Sequence, residues 1–142
     1  MPEAVITVAK PGHRSIKLDS AGKPFIQGYR CDVCGAAMPE STLACRACGE
    51  RTLPAAFRSP ETGQLWTWSV VHRSYPGIKV PFVSAIVDLD GGLTLKGTVI
   101  GADTTQLRQG LPLKLVFDDA GGATDKDGAA WIGFHFVVRG DA

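Results

Sequence analysis

The sequence is short of the features that mark most functional classes. No stretch approaches the roughly 18 consecutive apolar residues of a membrane span. The N-terminus, MPEAVITVAK, lacks the basic start and long apolar run of a secretory signal. Charge of neither sign dominates: 15 basic against 14 acidic residues leave a net +1. That balance gives no long-range field for nucleic acid or an acidic membrane. Gly-x-Ser-x-Gly elbow, Walker loop, Gly-x-Gly-x-x-Gly and His-Glu-x-x-His are all missing. Histidine occurs only three times, as His13, His72 and His135, far apart in sequence. A lone histidine on a strand is more often structural than catalytic.

Cysteine is scarce too, and its four copies sit together. Cys31, Cys34, Cys45 and Cys48 form two Cys-x-x-Cys pairs in CDVCGAAMPESTLACRACG. This is the spacing of a tetrahedral four-thiolate zinc site. Two intervening residues let one tight turn aim both sulfurs at one ion. Gly35 and Gly49, each just after the second cysteine, tolerate positive φ and let backbone N–H groups turn toward sulfur. Four thiolates on a divalent cation carry −2, and Arg30, Arg46 and Arg51 stand near enough in sequence to offset part of it. Two readings compete with zinc: two disulfides in an oxidising compartment, and an iron centre of the rubredoxin kind. With all four thiols committed to a metal, none is left for covalent acyl chemistry. Metal-bound thiolates fit a reducing cytoplasm.

The expected fold is mainly β, an N-terminal four-cysteine zinc ribbon followed by a five-stranded OB-fold barrel. Residues 1–28 read as an N-terminal arm, with a short strand over Ala4–Ala9 and a turn at Ala21-Gly22-Lys23-Pro24. Residues 29–55 are the zinc ribbon. They are too few to bury a core, so the metal replaces one, with Met38, Leu43 and Leu53 as the expected packing contacts.

Residues 56–142 are the OB-fold domain. The first strand contains LWTWSVVHRS, with Trp66, Trp68, Val70 and His72 on one face and Leu65, Thr67, Ser69 and Val71 on the other. The second runs from Pro81 to Leu89 and ends in the hairpin turn Asp90-Gly91-Gly92. The third is Leu93–Ile100. Asp103 caps one helical turn. The fourth strand is Pro112–Phe117 and the fifth Ala130–Arg139. Five strands with one helical turn between the third and fourth is the element order of an OB-fold. The carboxylate pairs Asp88/Asp90 and Asp118/Asp119 fall at strand ends, where solvated turns are the default. Asp125-Lys126-Asp127-Gly128 lacks the further ligands of a calcium loop.

The four-cysteine ribbon is followed by Val70-Val71-His72-Arg73, then Pro81-Phe82-Val83, then Val87-Asp88-Leu89-Asp90-Gly91-Gly92. In that order these motifs resemble the DUF35 family of zinc-ribbon/OB-fold proteins associated with acyl-CoA metabolism. The likeness spans about residues 25–138. It implies a non-catalytic accessory subunit that docks on a thiolase-superfamily enzyme (a thiolase, an acyltransferase or a steroid side-chain aldolase) and helps hold its acyl-CoA thioester. Gly91 stands where the family often has glutamate. For such a role Arg73, Lys79 and Lys96 are the candidate CoA-phosphate contacts. Trp66, Trp68 and Phe82 are the candidate partner interface. Solvated strand faces for the lysines, and core packing for the tryptophans, are the plainer readings. Single-stranded nucleic-acid binding is the alternative from another class, since ribbons and OB barrels both serve it, but the neutral charge speaks against it. A rubredoxin-like electron carrier is the other.

Overall fold

A computed structural model of the chain describes residues 9–139. The strand expected over Ala4–Ala9 lies, but for its last residue, outside them. Ten strands follow one another: β1 (Lys10–Pro11), β2 (Ile16–Leu18), β3 (Pro24–Arg30), β4 (Ala37–Met38), β5 (Ala55–Arg58), β6 (Thr62–Val71), β7 (Phe82–Leu89), β8 (Thr94–Val99), β9 (Pro112–Asp118) and β10 (Trp131–Val138). Short 3-10 turns occur at Thr104–Gln106 and Ala120–Gly122. Among the described residues no helix is long and apolar enough to cross a membrane.

Strands β6 to β10 close into a barrel. β7 pairs with β6 and β8, β10 lies between β8 and β9, and β9 returns to β6. The β8–β10 contact is parallel, through Val99 and Phe136, and the other barrel pairings are antiparallel. This is the five-stranded OB arrangement. Period-two alternation builds its core. Val83, Ala85, Val87 and Leu89 of β7, Leu95 and Val99 of β8, and Leu113 and Leu115 of β9 all point inward and are buried. Phe136 is fully enclosed. Gly97 makes room for it: a Cβ there would lie 2.7 Å from Phe136 Cε2. Asp103 caps the first 3-10 turn as expected, accepting the Thr105 N–H at 3.0 Å.

Strand β6 departs from simple alternation. Its register against β7 slips between Leu65, opposite Val87, and Thr67, opposite Ile86. Trp66 is the extra residue of a β-bulge. Beyond it Trp68 faces Ala85 and Val70 faces Val83, on the same side as Leu65. The expected face shared by Trp66, Trp68, Val70 and His72 is therefore corrected. The bulge puts Leu65 with Trp68 and Val70, and leaves Trp66 about half exposed.

The segment before the barrel is a second small sheet centred on β3. β2 and β3 form a hairpin with Ile16 opposite Ile26, and β3 also pairs with β4 and β5. Ile16 and Ile26 are buried in the same apolar cluster as the barrel interior. Gly28 lets β3 lie against it, since a Cβ there would come 2.7 Å from Leu93 Cδ1. The cysteine-bearing loops are thus hung from a sheet that shares the barrel's core. The β2 strand has no clear signal in the sequence, because three residues are too few to show a period.

Candidate metal centre and surrounding surfaces

The end of β3 delivers Cys31, and two loops deliver the other thiols. All four sulfurs lie within 4.8 Å of one another. Cys31 Sγ is 3.7 Å from Cys48 Sγ, and Cys34 Sγ is 3.6 Å from Cys45 Sγ. A disulfide needs about 2.05 Å, whereas sulfurs arranged tetrahedrally at about 2.3 Å from one ion are roughly 3.8 Å apart. The spacing is that of a shared ion.

Each pair is a knuckle of the same construction. Gly35 N–H returns to Cys31 O at 3.0 Å, and Gly49 N–H returns to Cys45 O at 2.9 Å. Both glycines have positive φ, 76° and 79°, as the sequence requires. Inside the turns, Val33 N–H reaches Cys31 Sγ at 3.4 Å and Ala47 N–H reaches Cys45 Sγ at 3.3 Å. These N–H groups favour the anionic sulfur.

Without a cation the thiols of Cys34, Cys45 and Cys48 are pushed in different directions. The N–H groups of Cys48 and Ala47 bring the Cys45 thiol down to about 6. At Cys48 an N–H from Glu50 pulls downward, but desolvation and the other three sulfurs push the thiol up to about 12. Cys34 is raised as well: the N–H of Ala36 pulls it down, and desolvation and Cys45 outweigh that pull. A divalent ion supplies the positive charge that four thiolates require. The donor set and its spacing fit a four-coordinate metal.

Packing around the centre is sparse. Met38, Cys31 and Cys45 are buried together, with Tyr29 and Ala36 against them. Met38 takes its expected place, but Leu43 and Leu53 do not. They are 85% and 62% exposed, because the loops carrying them follow the metal site rather than a core. Arg30 is committed elsewhere than to the sulfurs. Its guanidinium donates to Gly35 O in the first knuckle at 3.0 Å and to Gly91 O in the β7–β8 turn at 2.6 Å. It also lies 4.4 Å from the Phe57 ring centroid. One side chain therefore ties the metal loop to the barrel.

The other singled-out residues are spread over the barrel. Lys79 lines an open apolar groove of about 710 Å³ together with Val70, Ile78, Phe82, Val99 and Ile100. Ile78 and Ile100 are each about half exposed, so this surface is both apolar and open. Phe82 belongs to this groove; Trp66 and Trp68 lie further back along β6. Arg73 is exposed in the β6–β7 loop. Lys96 lines a different cleft with His13, Asp118 and His135. The three cations thus do not converge on one pocket.

Sequence reasoning missed the pairing in that second cleft. His135 Nδ1 is 2.7 Å from Asp118 Oδ2. The residues are 17 apart, and the β9–β10 register that sets Asp118 opposite Gly133 brings them together. A carboxylate at the end of β9 and a histidine inside β10, two residues beyond the position paired with it, was the available signal, but the long loop between hid the register.

Three comparisons bear on the chain. The family model described as "ChsH2, C-terminal OB-fold domain" matches residues 58–118. A curated "DUF35 domain-containing scaffold protein" of Methanocaldococcus jannaschii is 27% identical over 111 residues, covering 77% of this chain and 78% of that protein. A solved chain of the "Ltp2-ChsH2(DUF35) aldolase" superposes with a TM-score of 0.62 at 22% identity, covering 80% of this chain and 84% of that one. At that identity the likeness is one of fold.

Proposed function

From the chain's likeness to DUF35 proteins we propose that it belongs with them and is a non-catalytic accessory subunit, a metal-stapled scaffold that braces a thiolase-like enzyme acting on an acyl-CoA thioester. The observation that carries this reading is the open apolar groove on the β6–β8 side of the barrel, lined by Val70, Ile78, Phe82 and Ile100. Apolar surface of this kind on a small domain is characteristic of an interaction site. The names of the similar proteins, a scaffold and an aldolase with a DUF35 component, agree with it. The ion held by Cys31, Cys34, Cys45 and Cys48 is zinc in this reading, and its task is to fix the ribbon, since a closed thiolate shell leaves no coordination position for substrate. Iron is the competing metal, and a coloured protein with iron in place of zinc on elemental analysis decides for it.

Within the complex, Phe82 and the two tryptophans Trp66 and Trp68 cover the catalytic subunit. Lys79, which lines the groove, and Arg73 in the β6–β7 loop supply positive charge for the phosphates of the CoA ester, while Lys96 lies in the separate cleft. The chain contributes binding and exclusion of water, and the partner contributes the reacting groups. Co-expression with the thiolase-like protein encoded beside this gene, followed by size exclusion, tests the proposal. One co-eluting complex, with partner turnover that depends on this chain, is expected. Separate elution at micromolar concentration with a fully active partner overturns it.

A further inference from the structure

The cleft beside β8 and β10 is separate from both the cysteine centre and the apolar groove. It encloses about 370 Å³ where the two strands diverge before they meet at Val99 and Phe136. Lys96 and Thr98 of β8 form one wall, and Gly133, Phe134 and His135 of β10 form the other. Gly12, His13, Asp118, Ala120 and Gly121 also line it.

Several costly local features converge on His135. Gly133 has no side chain where a Cβ would stand 2.7 Å from Asp118 Oδ1 and 3.1 Å from Ala120 Cα. Ala120 holds φ at 54°, among the described residues the one non-glycine with positive φ, and Gly121 continues it at 71°. That turn places the Ala120 N–H 2.8 Å from Asp118 Oδ1, while Asp118 Oδ2 takes His135 Nδ1 at 2.7 Å. Both carboxylate oxygens are therefore engaged, and the imidazole is fixed through Nδ1. His135 Nε2 has no partner among the described residues.

The second histidine is set in the mirror sense. His13 Nδ1 accepts the Ser15 N–H at 3.0 Å, so in the neutral ring the proton sits on Nε2, which has no partner either. Burial, then the charge of Arg14, holds His13 below its ordinary value, which favours the neutral ring. Its ring is braced edge-on against Phe134, with centroids 5.5 Å apart. Lys96 has no carboxylate partner among the described residues. The charged and titratable groups lining the cleft are Lys96, His13, His135 and Asp118, and the negative charge of Asp118 is already spent on His135.

We propose that this cleft binds a tetrahedral oxyanion, a phosphate or phosphate-ester group, seated between Lys96, the Nε2–H of His13 and the Nε2–H of protonated His135. Asp118 is a positioning residue that holds the imidazole and balances its charge. Thr98 offers a hydroxyl on the same wall. The proposal needs neither a catalytic partner nor a thioester, so its failure leaves the scaffold reading standing.

The test uses the full chain alone and follows the histidine ring signals by NMR while sulfate is added. Sulfate serves because its charge stays constant through the range in which histidine titrates. The expected result is a shift of the His13 and His135 resonances, with affinity rising as pH falls. His135→Gln abolishes the pH dependence. Lys96→Met, on an exposed strand position that the fold does not need, weakens binding about ten-fold or more. Absence of any shift at tens of millimolar, pH-independent binding, or wild-type affinity in Lys96→Met overturns the proposal. Inorganic phosphate and glycerol phosphate then separate its two sources: a free ion site takes only the first, and a site for the end of a larger molecule takes both.

Discussion

Arg30 shows how much of this fold one residue can hold. Its two hydrogen bonds, to Gly35 O and Gly91 O, join the first knuckle to the β7–β8 turn, and Phe57 stacks under the guanidinium. Truncation to Ala leaves both carbonyls short of a charged donor, so Arg30→Ala should lower stability by about 1–3 kcal/mol in urea denaturation while the bound metal stays stoichiometric. Loss of the metal instead would mean that Arg30 serves the sulfurs. Gly91 is the matching case across the same junction. A Cβ there meets Pro60 Cδ at 2.8 Å and Phe57 Cε2 at 3.3 Å. The substitution Gly91→Glu should therefore destabilise this chain by about 1–3 kcal/mol through overpacking, and a gain in melting temperature would contradict that. Asp125 supplies a pH signature. Lys10, 2.6 Å away, and then the N–H groups of Ala129 and Asp127 hold its carboxyl below the usual carboxylate value. A folded value below the unfolded one means that the contribution is complete above the ordinary carboxylate range and is lost as pH falls through the lower folded value. Lys10 is half exposed, so the effect is small. The Asp125 carboxyl signal should titrate below that of an unstructured peptide in wild type and move part of the way back in Lys10→Met, because the N–H groups of Ala129 and Asp127 remain.

At the scale of elements, what was legible in the sequence followed from how local its cause is. The knuckles could be read because two intervening residues and a glycine fix a turn without help from elsewhere, and Gly35 and Gly49 adopt the positive φ expected. The strands β7 and β8, and the first half of β9, could be read because alternation survives along them. β6 could be located but its faces could not, because a bulge at Trp66 shifts the period and nothing in LWTWSVV marks where. Leu43 and Leu53 were misplaced for a related reason: in a loop ordered by an ion, an apolar residue need not find a core. The Asp118–His135 pair depends on a register across a long loop, which no local pattern encodes. The same distinction predicts how the chain responds to metal removal. The barrel and the β2–β3 hairpin share an extensive apolar core, while the loops holding the thiols have only Met38 and its few neighbours. Chelation at neutral pH should abolish amide-exchange protection between Cys31 and Glu50 and leave that of β7, β8 and β9 in place. Equal loss across the chain would show that the ion holds the barrel as well.

On the scale of the whole molecule, the parts divide the labour. Four thiols gather where one ion fits, Arg30 fixes the ribbon to the barrel, and the barrel turns an open apolar groove outward. The four thiols of the described residues are all gathered at the candidate metal centre. Such a molecule is suited to holding something in place, and the groove around Phe82 is where a large partner gains most by covering apolar surface. Charge introduced there, as Phe82→Asp, should weaken the complex about ten-fold or more while leaving metal content unchanged, as read by titration calorimetry against the purified catalytic subunit. The most direct measurement is steady-state turnover of an acyl-CoA thioester by that subunit, with and without this chain and with this chain alone. The account predicts turnover only when both are present, and none from this chain. Full turnover by the catalytic subunit in its absence, or turnover by this chain in isolation, would contradict it.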